Sequence, residues 1–260
     1  DDALDGGSHK HGSGGYTVDW YVLSESPGND IIFNFWSQRY DAYIDANYQN
    51  NESFHDGRTL RSDSIFVNKN TASAALELLS KTTNNPDGWA EIIFDNENSL
   101  VIHSTPKESL EADFFVIIPE IENIITGEGL EDDNVLTGTD KNDLILGSNL
   151  PQGRFGDGND ELNGGKGDDI LVGGSNLSVT SVDYFDKYIF NQDNSGNDII
   201  IGYLNDSLDG NDYIYIESNI NGSVFRDFSD ILDATSENDD GWAVIDLGSS
   251  NSITLHSTRK

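Results

Sequence analysis

Short apolar runs separated by glycine, asparagine and aspartate dominate this 260-residue chain. Ile31–Phe33, Ala90–Phe94 and Leu100–Ile102 are β-branched or aromatic runs bounded by turn-forming residues, which is the pattern of short strands. Two segments, Thr71–Lys81 and Val224–Ala234, have apolar residues at helical spacing instead. The pattern therefore predicts a mainly β protein with one short helix in each half.

Two consecutive nine-residue units occupy 155–163 and 164–172. Each has glycine at positions two and four, aspartate at position six and a large aliphatic residue, Leu162 or Leu171, at position eight. Such a unit forms a glycine-rich loop and a short strand, and stacked units bury the aliphatic residues that one unit cannot bury alone. Loop carbonyls together with a carboxylate are oxygen ligands, which Ca²⁺ prefers.

This G-G-x-G-x-D-x-U-x pattern resembles the nonapeptide repeat of RTX (repeats-in-toxin) proteins. The resemblance implies a parallel β-roll that binds calcium ions, belongs to a larger bacterial exoprotein and folds outside the cell. It also implies export by the type I secretion machinery, which acts through the parent chain. The expected location is therefore extracellular, or at the cell surface of a Gram-negative bacterium.

The chain contains an internal duplication, in which Asp87–Thr105 aligns without a gap to Asp240–Thr258. Both copies resemble the domain that follows RTX repeats, where it caps the open end of the roll and covers an unpaired strand edge. We expect a mainly β fold, a parallel β-roll flanked by two mostly β capping domains with one short helix each. The expected divisions are the tail of an upstream roll at 1–8, a first capping domain at 9–120 with an insertion at 37–60, an internal roll at 121–176 and a second capping domain at 177–260.

Candidate calcium ligands follow from the stacking of alternate units, because in a β-roll each ion lies between two loops on the same edge. The strongest predicted site lies between Asp143 and Asp160, a second lies between the Asp160 loop and Gly173, and Asp169 is a weaker candidate. The carbonyls expected to complete these sites belong to Gly156, Gly158, Gly165 and Gly167. The remaining candidates are Asp2, whose upstream partner loops we expect to be missing, and Asp30 and Asp198, which are either ligands or parts of plain β-turns.

The charge balance restricts the partners. Lys and Arg number 14 against 47 Asp and Glu, a net charge of −33. Nucleic acid is excluded as a natural partner because phosphate binding needs a cationic surface, and no apolar run is long enough to insert into a membrane. The chain has no cysteine, so disulfides and thiolate metal sites are excluded. Without bound cations, stacked carboxylates repel one another, and we therefore expect calcium binding and folding to be coupled.

The predicted function is a non-catalytic calcium-binding module, since the chain lacks H-E-x-x-H, G-x-S-x-G and P-loop motifs. The alternative is a carbohydrate-binding or adhesive module of a surface adhesin or a polysaccharide-modifying enzyme. The insertion at 37–60 combines tyrosines with Asp and Asn, a composition compatible with polysaccharide contact and also with an ordinary surface loop.

Overall fold

The computed structural model describes residues 3–5, 20–23, 29–33, 64–70, 72–95, 98–127, 133–147, 158–173, 185–193, 195–203, 212–256 and 258. Over these residues the chain is mainly β, as predicted, with two short helices and largely parallel sheets. It forms two compact units, one of residues 1–120 and one that begins at residue 121.

The first unit contains β1 (Ala3–Asp5), β2 (Trp20–Val22), β3 (Asn29–Phe33), β4 (Ser64–Asn68), α1 (Ala75–Lys81), β5 (Thr82–Asn84), β6 (Ala90–Ile93), β7 (Ser99–Ile102) and β8 (Phe115–Ile118). Two 3₁₀ turns, Lys107–Ser109 and Ala112–Phe114, precede β8. One sheet has the order β1-β3-β7-β6-β5, in which the first three strands are parallel and the last two are antiparallel additions. The other has the parallel order β2-β4-β8.

The second unit contains β9 (Asn123–Thr126), β10 (Val135–Thr137), β11 (Asp143–Leu146), β12 (Glu161–Asn163), β13 (Ile170–Val172), β14 (Lys187–Phe190), β15 (Asn197–Ile201), β16 (Tyr213–Ile216), β17 (Asn219–Ile220), β18 (Ser223–Val224), α2 (Phe228–Asp233), β19 (Thr235–Glu237), β20 (Ala243–Gly248) and β21 (Asn251–Leu255). From β9 to β16 the chain alternates between a seven-stranded sheet, β19-β20-β21-β15-β13-β11-β9, and a four-stranded sheet, β10-β12-β14-β16. All pairs among these eight strands are parallel.

Both sheets of the second unit continue across residue 177, where the sequence suggested a division between roll and capping domain. β12 pairs with β14, and β13 pairs with β15. The two sheets enclose one core, because both contribute to a single buried cluster that includes Ile145, Leu162, Leu171, Tyr188, Ile200 and Ile253. The aliphatic residues of the two nine-residue units, Leu162 and Leu171, are therefore internal, as predicted.

Both helices begin later than the apolar pattern predicts, at Ala75 and at Phe228. Val224 instead pairs with Asn219 in a two-stranded hairpin. Asp227 then caps the second helix, since its carboxylate accepts the N–H groups of Ser229 and Asp230. A capping carboxylate satisfies N–H groups that have no partner within the helix, and this fixes where the helix begins.

The same local arrangement recurs in the two units around the G-W-A sequence. Asn85 and Asn238 each use the side-chain oxygen to accept the N–H of a tryptophan four residues later, at 3.0 Å and 2.9 Å. Each tryptophan ring lies against a histidine ring, with centroids 4.0 Å apart for Trp89 and His103 and 4.3 Å apart for Trp242 and His256. The histidines at these strand ends thus have a packing partner in both units.

Candidate metal site

Two columns of acidic residues run along the edges of the second unit, where connections enter the strands. The first aspartate column consists of Asp143 and Asp198, which lie at the starts of β11 and β15, and Asp169, which directly precedes β13. The second consists of Asp160, Asp186 and Asp212, which directly precede β12, β14 and β16. All six side chains are buried. Parallel pairing of the strands causes this stacking, because it places the start of each strand beside the start of its neighbour.

Hydrogen bonds connect the first aspartate column from turn to turn. The backbone N–H of Asp143 donates to Oδ1 of Asp169, and the N–H of Asp169 donates to Oδ1 of Asp198, both at 2.8 Å. The side-chain amide of Asn123 donates to Oδ1 of Asp143 at 2.6 Å and completes the column at β9. One carboxylate oxygen of each aspartate is thus satisfied by a neighbour.

The second aspartate column repeats this geometry at a regular spacing. The N–H groups of Asn134, Asp160 and Asp186 donate to Oδ1 of Asp160, Asp186 and Asp212 respectively, at 2.8, 3.0 and 2.9 Å. Each bond joins residues 26 positions apart. The two columns therefore use the same hydrogen bond, in which an aspartate carboxylate receives the N–H of the preceding turn.

The remaining oxygen of Asp169 distinguishes this residue from Asp143. In the loop before β11, the N–H of Thr139 donates to Oδ2 of Asp143 at 2.5 Å. In the next loop, the equivalent N–H of Gly165 donates to the side chain of Asn163 instead, at 3.1 Å. Oδ2 of Asp169 is consequently buried with no hydrogen-bond partner, an arrangement that is costly for a carboxylate unless a proton or a cation neutralises it.

Burial raises the pKa of two members of the first aspartate column, Asp169 and Asp198. Burial raises the pKa of Asp169 to about 8. The hydrogen bond from the N–H of Asp143 opposes this rise, and the negative charges of Asp143 and Asp168 add to it. Burial also raises the pKa of Asp198 well above its usual range, with Asp169 and Asp168 as the neighbouring charges. These carboxylates are therefore poorly stabilised as anions by protein groups alone.

Glycines allow the loops to approach closely along the same edge. Gly165 and Gly167 have φ of +94° and +112°, in the region that favours glycine. A Cβ on Gly167 would lie 2.5 Å from the carbonyl oxygen of Lys141, and a Cβ on Gly165 would overlap that of Thr139. Carbonyl oxygens of one loop thus face the glycines of the next. Gly158, on the other edge, is buried and has φ of +85°.

The predicted partner of Asp143 is wrong. We expected Asp160, but Leu144 of β11 pairs with Ile170 of β13, and Asp143 lies beside Asp169. The expectation counted residues 147–154 as a unit with its own strand. That stretch has no aspartate and contains Pro151, which has no N–H for a ladder, and the described strands before and after it, β11 and β12, lie in different sheets. Asp160 therefore belongs to the opposite edge, next to Asp186.

Of the other predicted calcium ligands, some lie on the two edges of the second unit and others lie outside the described residues. Asp160 and Gly173 share an edge, because a Cβ on Gly147 would overlap both Oδ2 of Asp160 and the carbonyl oxygen of Gly173. Asp198 belongs to the first aspartate column. The backbone of Asp30 lies in β3 opposite Leu100, and its side chain lies outside the described residues, as do Asp2, Gly156 and the insertion at 37–60.

Sequence reasoning missed Asp186 and Asp212 as members of the second column. Their sequence signal is the equal spacing of 26 residues from Asn134 through Asp160 to Asp212. Each of these residues is followed at once by a strand, which is also the context of Asp160 in its nine-residue unit.

The donor set fits a hard cation in its chemistry. It consists of carboxylate and backbone carbonyl oxygens, and it includes a buried carboxylate oxygen that lacks a partner. Ca²⁺ accepts six to eight oxygen ligands of these kinds. Among the described residues, no three His, Cys, Asp or Glu side chains lie close enough together to hold a metal ion.

No family model and no curated protein matches the chain. One similar solved structure is the crystal structure of the extracellular lipase LipA from Serratia marcescens, at 15% identity and a TM-score of 0.27. The match covers 91% of this chain and 35% of the lipase chain, so this chain spans about a third of that protein's length. In the part of the chain that the structure describes, no helix is long and apolar enough to cross a membrane.

Proposed function

We propose that this chain is a calcium-binding module of the RTX type, a parallel β-roll that folds when Ca²⁺ binds. The observation that carries the proposal is the first aspartate column, in which Oδ2 of Asp169 is buried without a hydrogen-bond partner. A divalent cation removes the cost of burying neighbouring carboxylates, and a proton is the alternative. The glycine-rich loops beside this column and their oxygen-only donors favour Ca²⁺ among the divalent cations.

The residues that would hold the ions belong to both edges of the second unit. On the first edge they are Asp143, Asp169 and Asp198, with carbonyl groups of the loops that contain Gly165 and Gly167. On the second edge they are Asp160, Asp186 and Asp212, with carbonyl groups near Gly158 and Gly173. When bound, calcium supplies positive charge to the two columns, and these residues supply the oxygens and the rigid strand register that holds them in line.

The proposal includes a location and a role in the parent protein. Calcium-binding extracellular modules have dissociation constants of about 10⁻⁴–10⁻³ M, so cytosolic calcium leaves such a module empty and extracellular calcium fills it. The module would pass the type I secretion machinery unfolded and fold outside a Gram-negative cell, in support of a larger exoprotein. We propose no catalytic centre, nucleic-acid partner or membrane insertion for these residues.

The test is a calcium titration of the 260-residue chain after treatment with EGTA. Far-UV circular dichroism should gain β signal as Ca²⁺ is added, and equilibrium dialysis should show bound calcium at saturation. The matched variant Asp169→Asn should bind less calcium, while Asp239→Asn, an exposed acid in the β19–β20 turn, should bind as much as the unmodified chain. A spectrum and a calcium content that do not respond to Ca²⁺ would refute the proposal.

A further inference from the structure

An asparagine precedes each aspartate column and continues its line towards β9 and β10. Asn123 donates to Asp143 at the end of the first column, and Asn134 donates to Asp160 at the end of the second. An asparagine has the shape of an aspartate but no charge, and its amide nitrogen carries two hydrogens where the acid has an acceptor oxygen. The end position of each column therefore differs in chemistry from every later position.

The amide nitrogen of Asn134 connects two oxygens of the second edge. It donates to Oδ1 of Asp160 and to the carbonyl oxygen of Gly147, both at 3.0 Å. These two acceptors match the two hydrogens of the amide. One acceptor is a carboxylate oxygen and the other is a loop carbonyl oxygen, which are the kinds of oxygen that Ca²⁺ accepts.

In the next turn along the second column, a carboxylate oxygen takes the position of this nitrogen. A Cβ on Gly127 would overlap the carbonyl oxygen of Gly147 and would lie 2.7 Å from Nδ2 of Asn134. A Cβ on Gly147 would overlap the carbonyl oxygen of Gly173 and Oδ2 of Asp160 in the same way. The same position thus holds a donor in one turn and an acceptor in the next. Two oxygens that face each other repel unless positive charge lies between them.

Asn123 satisfies the end of the first aspartate column in a similar way. Its amide donates to Oδ1 of Asp143 at 2.6 Å and to the hydroxyl oxygen of Thr139 at 3.3 Å. The N–H of Thr139 donates to Oδ2 of Asp143 at 2.5 Å. Protein donors therefore bind both carboxylate oxygens of Asp143, whereas Oδ2 of Asp169 is buried with no hydrogen-bond partner.

We propose that Asn123 and Asn134 end the two rows of bound cations, because the amide of each takes the place of a cation at the last carboxylate of its column. An amide nitrogen whose hydrogens point at these oxygens repels a cation and offers it no acceptor. Cations then bind only between the later turns of each column. This inference rests on the proposed function, since it concerns the same calcium-binding residues and states where their row of ions stops.

The experiment is equilibrium dialysis of the 260-residue chain against saturating Ca²⁺, with bound calcium counted per chain. Asn134→Asp replaces the donor nitrogen by a carboxylate oxygen at nearly constant shape, so it should bind one more calcium ion than the unmodified chain. The matched control Asn219→Asp adds the same charge at an exposed position on β17, outside both columns, and should bind no additional ion.

Asn123→Asp tests the first column independently and should also add one ion. Circular dichroism at saturating Ca²⁺ verifies that each variant is folded, and if Asn134→Asp does not fold, Asn123→Asp decides. As a second readout, the Tm of a folded aspartate variant should rise more steeply with the logarithm of the Ca²⁺ concentration, because more ions are released on unfolding.

An unchanged number of ions in either folded aspartate variant, with calcium bound to the unmodified chain, would overturn this inference and leave the proposed function intact. An additional ion in Asn219→Asp would also overturn it, because added acidity alone would then recruit calcium. If none of these chains binds calcium, the proposed function is refuted, and this inference with it.

Discussion

Removal of calcium should make the stability of the second unit fall as the pH rises, and Asp169 should cause a measurable part of that fall. Its pKa is raised by burial to about 8 in the folded chain, against an ordinary value of 3.8. A raised folded pKa means that the folded state holds a proton that the unfolded state has lost. The stabilisation is fully present below about pH 4 and is lost as the pH rises towards 8.

The size of the effect follows from proton linkage. One extra proton in the folded state changes the free energy of unfolding by about 1.4 kcal/mol per pH unit. Between about pH 5 and pH 7 this amounts to at most roughly 2.7 kcal/mol, and a discount of about half for solvent screening leaves roughly 1.4 kcal/mol. The pKa of Asp198 is raised for the same reason and acts in the same direction.

The assay is urea unfolding in EGTA from about pH 5 upwards, where protons instead of Ca²⁺ neutralise the buried carboxylates and keep the second unit folded, followed by far-UV circular dichroism across that pH range. Asp169→Asn keeps an oxygen that accepts the N–H of Asp143 but cannot titrate, so its stability should depend less on pH by roughly 0.7 kcal/mol per pH unit. Any constant packing cost of the substitution cancels in this slope. Asp239→Asn should keep the slope of the unmodified chain, and saturating Ca²⁺ should remove the difference in pH slope between the unmodified chain and Asp169→Asn.

Equal slopes for the unmodified chain and Asp169→Asn would refute the reasoning, because they would mean that the carboxylate ionises without cost in its buried position. A stability that rises between pH 5 and pH 7 in EGTA would contradict the sign itself.

Three further changes test the structure, each by thermal unfolding followed by circular dichroism. Gly167→Ala should destabilise the second unit by more than about 2 kcal/mol, because the added Cβ meets the carbonyl of Lys141 and the backbone φ is +112°. The control Gly222→Ala has φ of +84° but open space around it, so it should cost only about 1 kcal/mol. Tyr188→Phe should cost roughly 1–3 kcal/mol, because its hydroxyl accepts the buried N–H of Gly173, and an equal stability would show that water replaces the hydroxyl. Asp227→Ala should cost about 1 kcal/mol through loss of the helix cap, whereas Asp233→Ala, at the other end of the helix, should cost less.

Local chemistry was predictable from the sequence. The strand at Leu162 follows from the alternation of apolar and polar residues. The loop before Leu171 follows from its glycines, because a backbone with positive φ favours glycine, and Gly165 and Gly167 both have positive φ. These features depend on nearest neighbours along the chain. The helix starts were less predictable, because apolar spacing continues through Val224 while the capping bond of Asp227 and the hairpin pairing decide the boundary.

The pairing of the aspartates could not be read from one nine-residue period. Register depends on how many strands intervene between two units, and β11 and β12, the described strands before and after residues 148–157, lie in different sheets. That is why Asp143 faces Asp169 and Asp160 faces Asp186. The recurrence of an acid or amide every 26 residues, from Asn134 to Asp212, holds the information that the short motif lacks.

The two aspartate columns also explain why a chain with a net charge of −33 can place six of its carboxylates in its interior. Five of these carboxylates each accept the backbone N–H of an adjacent turn, and Asp143 accepts the side-chain amide of Asn123, so these hydrogen bonds fix the strand register of the folded state. The second oxygen decides whether that register is stable, because at Asp169 no protein group satisfies it. Hydrogen bonds set the strand register of the second unit, and neutralisation of the buried carboxylates sets its stability. We therefore expect the unit to fold when cations or protons are supplied and to unfold when they are removed.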